Sequence, residues 1–185
     1  MRQERTFRCQ KLRLMREIGM AISPAELDAG PWAEWMQEAG LTLLTLHAGP
    51  QGLVDFVASH AGKTFLRELR EREIEVEYSM HALSYLLPRE LFPEHPDWFR
   101  LDSRGGRTGD SNLCPSSRGA TEFVRDRARG LVAALVPTTS RYHLWADDGG
   151  RWCHCESCSG LSPSDQNMLV MNSLLQRELM AGKVQ

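Results

Sequence analysis

Leu41-Thr42-Leu43-Leu44-Thr45-Leu46-His47 is the run on which the reading of the fold turns. It is nearly continuous in apolar and β-branched residues. Strands of a parallel sheet covered on both faces read this way, whereas a strand with one wet face alternates. Gly49-Pro50 ends it. Upstream, Glu17 to Ile22 is a shorter apolar run with the look of a buried strand, and it stops at Ser23-Pro24-Ala25-Glu26. A capping Ser, Pro at the first helical position and Glu three residues after the cap start a helix. Gly30-Pro31 interrupts it, so the helix proper is expected over Pro31 to Ala39, with Trp32, Trp35 and Met36 on the core face and Gly40 as the stop.

Downstream of the central run, Leu53, Phe56 and Val57, then Phe65, Leu66 and Leu69, mark helical material on either side of Gly62. Ile74 to His81 alternates as a third strand. From Ala82 to Ser117 the chain is long, polar and rich in Pro and Gly, yet it holds Tyr85, Phe92, Trp98 and Phe99. A disordered linker is poor in aromatics, so an ordered functional loop is expected here. Phe123 to Leu135 repeats at helical spacing and stops at Pro137, and Arg141 to Ala146 is the fourth strand. Ser162-Pro163-Ser164-Asp165 opens a last helix through Met168, Met171, Leu175 and Leu179, which Gly182 ends.

Strands alternating with helices make a parallel sheet with right-handed crossovers. The fold class is therefore α/β, with parallel βα units forming a partial TIM-type barrel of four strands and a long loop after strand 3. Closing a barrel takes about eight strands, so four leave open edges. The expectation is a basic arm over residues 1–15 and one α/β domain over 16–185, part of a larger barrel or completed by a second copy. The capped end near Gly182 stops where a fifth strand would begin and suggests a cut.

At 185 residues, with 42% hydrophobic and 25% charged residues, the composition is that of one soluble domain with a real core. A net charge of −2 gives no electrostatic footprint for nucleic acid. No apolar run reaches membrane-span length. The basic start has no apolar core of a secretory signal behind it, so a reducing, cytoplasmic setting is expected. No Gly-x-Gly-x-x-Gly or phosphate-binding loop follows any strand, which leaves a nucleotide site without a motif.

The chemistry gathers in Trp145-Ala146-Asp147-Asp148-Gly149-Gly150-Arg151-Trp152-Cys153-His154-Cys155-Glu156-Ser157-Cys158. An α/β fold places catalytic groups at the carboxyl ends of its strands, where Asp147 and Asp148 fall. Adjacent carboxylates can raise one another's pKa, which glycoside cleavage requires of its acid; the plain alternative is that Asp-Asp-Gly-Gly is a good turn. Cys153, Cys155 and Cys158 offer three soft ligands, and a tetrahedral zinc site needs a fourth. Cys114, in the loop after the third strand, is the expected partner, because neighbouring parallel strands bring their carboxyl-end loops together. Such a zinc is structural, with four thiolates leaving no position for water. Reduced thiols, a disulfide, or His154 in place of one Cys are the alternatives; Cys9 is the odd cysteine. His47 and His81 each end a strand and both can face the rim. Trp98, Trp145 and Trp152 are candidate sugar platforms, with Tyr85 beside them in the loop and Arg151 as a partner for a sugar carboxylate. Arg104 and Arg107 are candidates of the same kind, and for all three arginines a solvated loop face is the plain reading. His95 is expected to hold its loop in shape, while His60 and His143 give no signal.

Three segments carry a family resemblance: His81-Ala82-Leu83-Ser84-Tyr85-Leu86-Leu87-Pro88 with Phe92-Pro93-Glu94-His95-Pro96-Asp97-Trp98-Phe99; Asn112-Leu113-Cys114-Pro115-Ser116-Ser117; and Asp147 to Cys158. Over roughly His81 to Leu175 the chain resembles the uncharacterised glycosidase-like (β/α) barrel domains of bacterial carbohydrate-active proteins, distant relatives of β-hexosaminidases and α-glucuronidases. The resemblance implies action on a carbohydrate ligand, an amino sugar or uronic-acid glycoside, with Asp148 as proton donor and Asp147 as its orienting partner. A truncated, non-catalytic barrel that keeps zinc-stapled loops and at most binds sugar is the competing reading. A metal-dependent hydrolase using His47, His81 and the Asp pair is a third. A homodimer covering the open sheet edge is one way to complete the unit, beside its being part of a larger barrel.

Overall fold

The computed structural model describes residues 17–175. The basic arm, Cys9 and the stretch around Leu179 and Gly182 lie outside the described residues. β1 (Gly19–Ile22) leads to a 3-10 turn (Pro24–Ala29), α1 (Trp32–Glu38) and β2 (Leu43–His47). Then come α2 (Pro50–Ala58), α3 (His60–Glu71), β3 (Glu75–His81), the one-turn α4 (Leu83–Leu86), α5 (Arg118–Ala134), β4 (Tyr142–Trp145) and α6 (Pro163–Leu175). The four strands form one sheet in the order β1-β2-β3-β4, every pair parallel. This is the expected partial barrel.

Local chemistry explains the element ends. Ser23 Oγ accepts from Ala25 N at 3.3 Å and Glu26 Oε2 from Ser23 N at 2.7 Å, the reciprocal capping read in the sequence. Gly40 stops the α1 region with φ +69°. The break between α2 and α3 falls at Ser59, not at Gly62. Ser59 caps α3 by accepting from Gly62 N at 2.9 Å, and Gly62 is needed because a Cβ there would meet Phe56 O at 1.9 Å.

One face of the sheet carries the core. Leu44, Leu46, Val76, Tyr78, Met80 and Leu144 pack under α2, α3, α5 and α6 with Leu53, Leu69, Val124 and Leu131. Leu44 and Leu46 are fully buried; truncation of either to Ala removes about 2–5 kcal/mol. The opposite face carries Gly19 and Ala21, Leu43, Thr45 and His47, Glu77, Ser79 and His81, then His143 and Trp145. The double burial expected of β2 is met on one face only: Leu43, Thr45 and His47 are half-buried. Trp35, expected in the core, is 43% exposed on α1 and packs edge-on to the half-buried Trp32.

The second face is polar but not unsatisfied. Glu77, 2% exposed, accepts from Thr139 Oγ1 at 2.6 Å, from His143 Nε2 at 2.7 Å and from the Arg141 guanidinium. Burial alone would raise its pKa, but the bonds from Thr139, His143 and Arg141 outweigh that and hold it below the ordinary value. Arg141 in turn reaches Glu17 at 2.7 Å.

The long segment after β3 is built, as its aromatics suggested. Phe99 and Leu113 are fully buried. Arg100, 2% exposed, makes a two-pronged pair with Asp110, and Leu101 bridges Arg107 antiparallel. His95 lies flat on Trp98 at 4.0 Å, fixing the turn as expected.

Candidate metal centre and sheet-end cleft

Two loops meet beyond the carboxyl ends of β3 and β4, and Asn112 joins them. Fully buried, it sits in the left-handed region at φ +48°, which Asn tolerates better than most residues. Its Nδ2 donates to Arg151 O at 3.0 Å, its Oδ1 accepts from Asp147 N at 3.2 Å, and its own N–H donates to Asp147 Oδ2 at 3.1 Å. Its carbonyl takes a bond from Arg89 Nη1 at 2.8 Å. Gly150 must be glycine, since a Cβ would lie 2.6 Å from Asn112 Nδ2. With Gly149 at φ +63° and Gly150 N bonded to Asp147 O at 3.0 Å, Asp-Asp-Gly-Gly is a turn docked onto Asn112.

That docking brings Cys114 to Cys153, Cys155 and Cys158. The four sulfurs lie within 4.8 Å of one another, with Cys114 and Cys155 at 3.7 Å. A tetrahedral cage with metal–sulfur bonds of about 2.3 Å separates its sulfurs by about 3.8 Å, so the donor set and its spacing fit a metal ion. Cys114, Cys153 and Cys158 are buried, and Cys155 is half-buried. Polar groups surround the sulfurs: Leu101 N approaches Cys153 Sγ at 3.3 Å, Cys155 N at 3.5 Å, and Ser116 Oγ lies 3.1 Å from Cys158 Sγ. Gln166 of α6 clamps Cys153 from behind, accepting from its N–H at 2.9 Å and donating to its carbonyl at 3.0 Å. Burial pushes the Cys114 thiol up to about 12, with the neighbouring cysteines adding to the rise while Arg107 opposes it. Four packed sulfurs do not ionise together unaided, and a bound cation removes that penalty.

Among the described residues this is the one group of His, Cys, Asp or Glu side chains close enough to hold a metal. A metal-dependent hydrolase built on His47, His81 and the Asp pair therefore has no ligand set there. His154 contributes its backbone N–H to Leu101 O at 2.8 Å, and the four cysteines need no substitute. Arg107 turns inward, donating to Phe99 O at 2.6 Å with Cys153 Sγ at 4.0 Å.

The two aspartates divide. The Asp147 carboxylate accepts from Ser84 N at 3.1 Å, Ser84 Oγ at 2.6 Å and Asn112 N at 3.1 Å, so it is held inside the loop joint. Asp148 has a side chain 90% exposed and faces His81 Nε2 at 3.3 Å. His81 Nδ1 meets Ala146 O at 2.5 Å; a carbonyl only accepts, so Nδ1 carries the proton and Nε2 is the nitrogen turned to Asp148.

A cleft of about 350 Å³ lies at the carboxyl ends of the strands, lined by Ala21, Ile22, Ser23, Glu26, His47, Ser79 and Trp145. Trp145, 45% exposed, packs against His47 at 5.4 Å and His81 at 5.3 Å, and His47 Nδ1 bonds Ser79 Oγ at 2.8 Å. His47, His81 and Trp145 are thus brought together as the sequence places them. Trp98 is engaged by His95 and tilts on Phe123 at 5.2 Å, and Trp152 packs against the core. Tyr85 donates to Gln51 Oε1 at 3.2 Å with the Arg127 guanidinium 5.5 Å over its ring. Arg151 is exposed, its backbone tied to Ser111 Oγ at 3.1 Å. Sequence reading missed Asn112 as the loop joint, Ser84 as the anchor of Asp147, and the Glu77–His143 pair. The alternation of Glu75, Glu77, Ser79 and His81 was the available signal for a polar face on β3.

A family model described as a domain of unknown function, DUF4838, matches residues 35–176, the span that holds all four cysteines, Asn112 and the rim residues from His47 to Trp145. The chain belongs to this family. That agrees with an uncharacterised family and carries no glycosidase relationship with it. No curated protein and no solved structure matches the chain.

Proposed function

We propose that this domain binds carbohydrate at the carboxyl end of its sheet, in a glycosidase-like cleft whose loops are stapled by zinc. The observation that carries the reading is the half-exposed Trp145 ring, flanked by the oriented His47 and His81 in an open cleft. Apolar sugar faces pack on such rings, while fixed polar groups at the ring edge read the hydroxyls. The resemblance of the three loop segments to glycosidase-like barrels supports the same class of ligand, an amino sugar or uronic-acid glycoside. For the metal, four thiolates with no open position fit zinc in a structural role. Cys114, Cys153, Cys155 and Cys158 hold it, and its work is to fix the loop that presents Asp148.

In a hydrolytic reading, Asp148 donates the proton with His81 beside it. A second carboxyl group is required on the other side of the scissile bond. Because Asp147 is committed to Ser84 and Asn112, binding without turnover is the favoured alternative for the four-stranded unit by itself. Titration of Trp fluorescence with a panel of amino-sugar and uronic-acid glycosides tests the reading. A saturable change that Trp145→Ala removes supports it, and no binding by any member sinks it. Asp148→Asn then separates the two forms: turnover lost with binding kept marks an enzyme, and binding with no turnover in either protein marks a binding module.

A further inference from the structure

The exposed large hydrophobic side chains among the described residues are Ile18, Trp35, Val136, Trp145, Met168 and Leu169. Val136 lies at the amino ends of the strands. Of the other five, Trp145 on β4 turns its ring over the sheet face toward His47 and His81, and four belong to the elements at the two open margins: Ile18 and Trp35 beside β1 and on α1, Met168 and Leu169 on α6. The α2, α3 and α5 helices between those margins expose none. In the sheet, β1 and β4 each pair on one side only among the described residues. An open strand edge flanked by apolar side chains is a surface that proteins ordinarily cover.

A free parallel strand with an apolar helix beside it would continue the sheet at the β4/α6 margin, and the same pair would continue it at the β1/α1 margin. A second copy of this chain supplies both at once. A half-turn about the axis around which the strands wind leaves strand direction unchanged. β4 of each copy then meets β1 of the other in parallel, and the two junctions close a sheet of about eight strands with no edge left. The side chains agree. On the inner face, β1 offers only Gly19 and Ala21 where β4 brings His143 and Trp145, so small residues meet large ones at each junction. Glu77, whose neighbours would become the barrel interior, enters it already paired with Arg141 and His143.

We propose that two copies of this chain close one barrel through β1–β4 and α1–α6 junctions, each copy supplying half of the sheet-end cleft. The cleft bounded by Trp145 on β4 and Ala21 on β1 is then shared, with Trp145 of one copy set beside the β1 end of the other. This inference is independent of what the cleft binds.

Sedimentation of the full chain over a range of concentrations tests it. The expected result is twice the chain mass, with the double substitution Met168→Glu and Leu169→Glu, and separately Trp35→Lys, each weakening association by at least about tenfold. Far-UV circular dichroism and metal content identify any variant that fails to fold. Mixing the two variants places Glu against Lys at one junction and leaves the other native, so heterodimers are expected to re-form, which mere misfolding would not produce. Chains carrying Trp35→Cys and Leu169→Cys, mixed and treated with a short bismaleimide, are expected to link 35 to 169 between copies. A monomer at every concentration, a dimer indifferent to these substitutions, or links between two copies of position 35 would overturn the proposal.

Discussion

The cysteine corner and the cleft above the sheet sit at the same end of the strands and are built in opposite ways. In the corner, buried side chains meet partners from three stretches of the chain: Cys114 from one loop, Cys153 from the next, and Gln166 from α6. In the cleft, Trp145 is half-exposed and Asp148 nearly fully so, and the sheet face beneath them is only partly covered. The corner draws its four sulfurs together within one chain, whereas the cleft stays open above a half-covered sheet face. Stability is therefore concentrated where no chemistry is proposed, and the groups proposed to touch ligand contribute little to folding.

Substitutions should reproduce that division. The largest effect is expected at the metal ligands. Cys153→Ser or Cys158→Ser removes one corner of the cage, and because metal binding is folding free energy, the loss is on the order of 5 kcal/mol, enough to unfold a domain of ordinary stability. Chemical denaturation with metal analysis of each variant checks it; a variant that keeps both metal and stability breaks the comparison. Next is Asn112→Ala. It strips the side-chain bonds to Asp147 N and Arg151 O and puts Ala at φ +48°, so a loss of about 3 kcal/mol is expected, with weaker metal retention as the loops part.

In the cleft the order reverses. Trp145→Ala should shift unfolding by no more than about 1 kcal/mol while abolishing sugar binding; a large loss of stability would mean the ring is a core residue after all. The last effect is read as a pH dependence and belongs to the buried Arg100 and its carboxylate. The Arg100 guanidinium holds Asp110 at about 2, below its ordinary 3.8, so the pair's contribution is full above the ordinary value and is lost as pH falls toward about 2. Asp110→Asn should flatten that part of the acid limb of stability against pH, and identical acid limbs in the two proteins would contradict the assignment.

Much of this was legible in the sequence because the signals were local. The apolar run at β2, the Ser-Pro-x-Glu start at Ser23 and the Cys-x-Cys-x2-Cys spacing each report on their own neighbourhood, and each kept its meaning in the fold. Cys114 could be joined to the other three because parallel strands force their carboxyl-end loops together. Other features were set by tertiary contacts with no local mark. Asp147 and Asp148 are chemically identical in sequence, yet Ser84 and Asn112, distant along the chain, capture one and leave the other exposed beside His81. Trp35 follows helical core spacing, yet it stays 43% exposed, its ring lying against Trp32 and Gly30 instead of entering the core. The run at β2 implied two covered faces, and the described residues cover the second only by half.

The most direct test is the metal itself. Elemental analysis and X-ray absorption at the metal edge, on chain purified without added metal, should find one zinc per chain with a first shell of four sulfurs, and Cys114→Ser should reduce that shell or empty the site. Chain that is folded and metal-free, or a metal whose first shell is nitrogen and oxygen, would contradict the account.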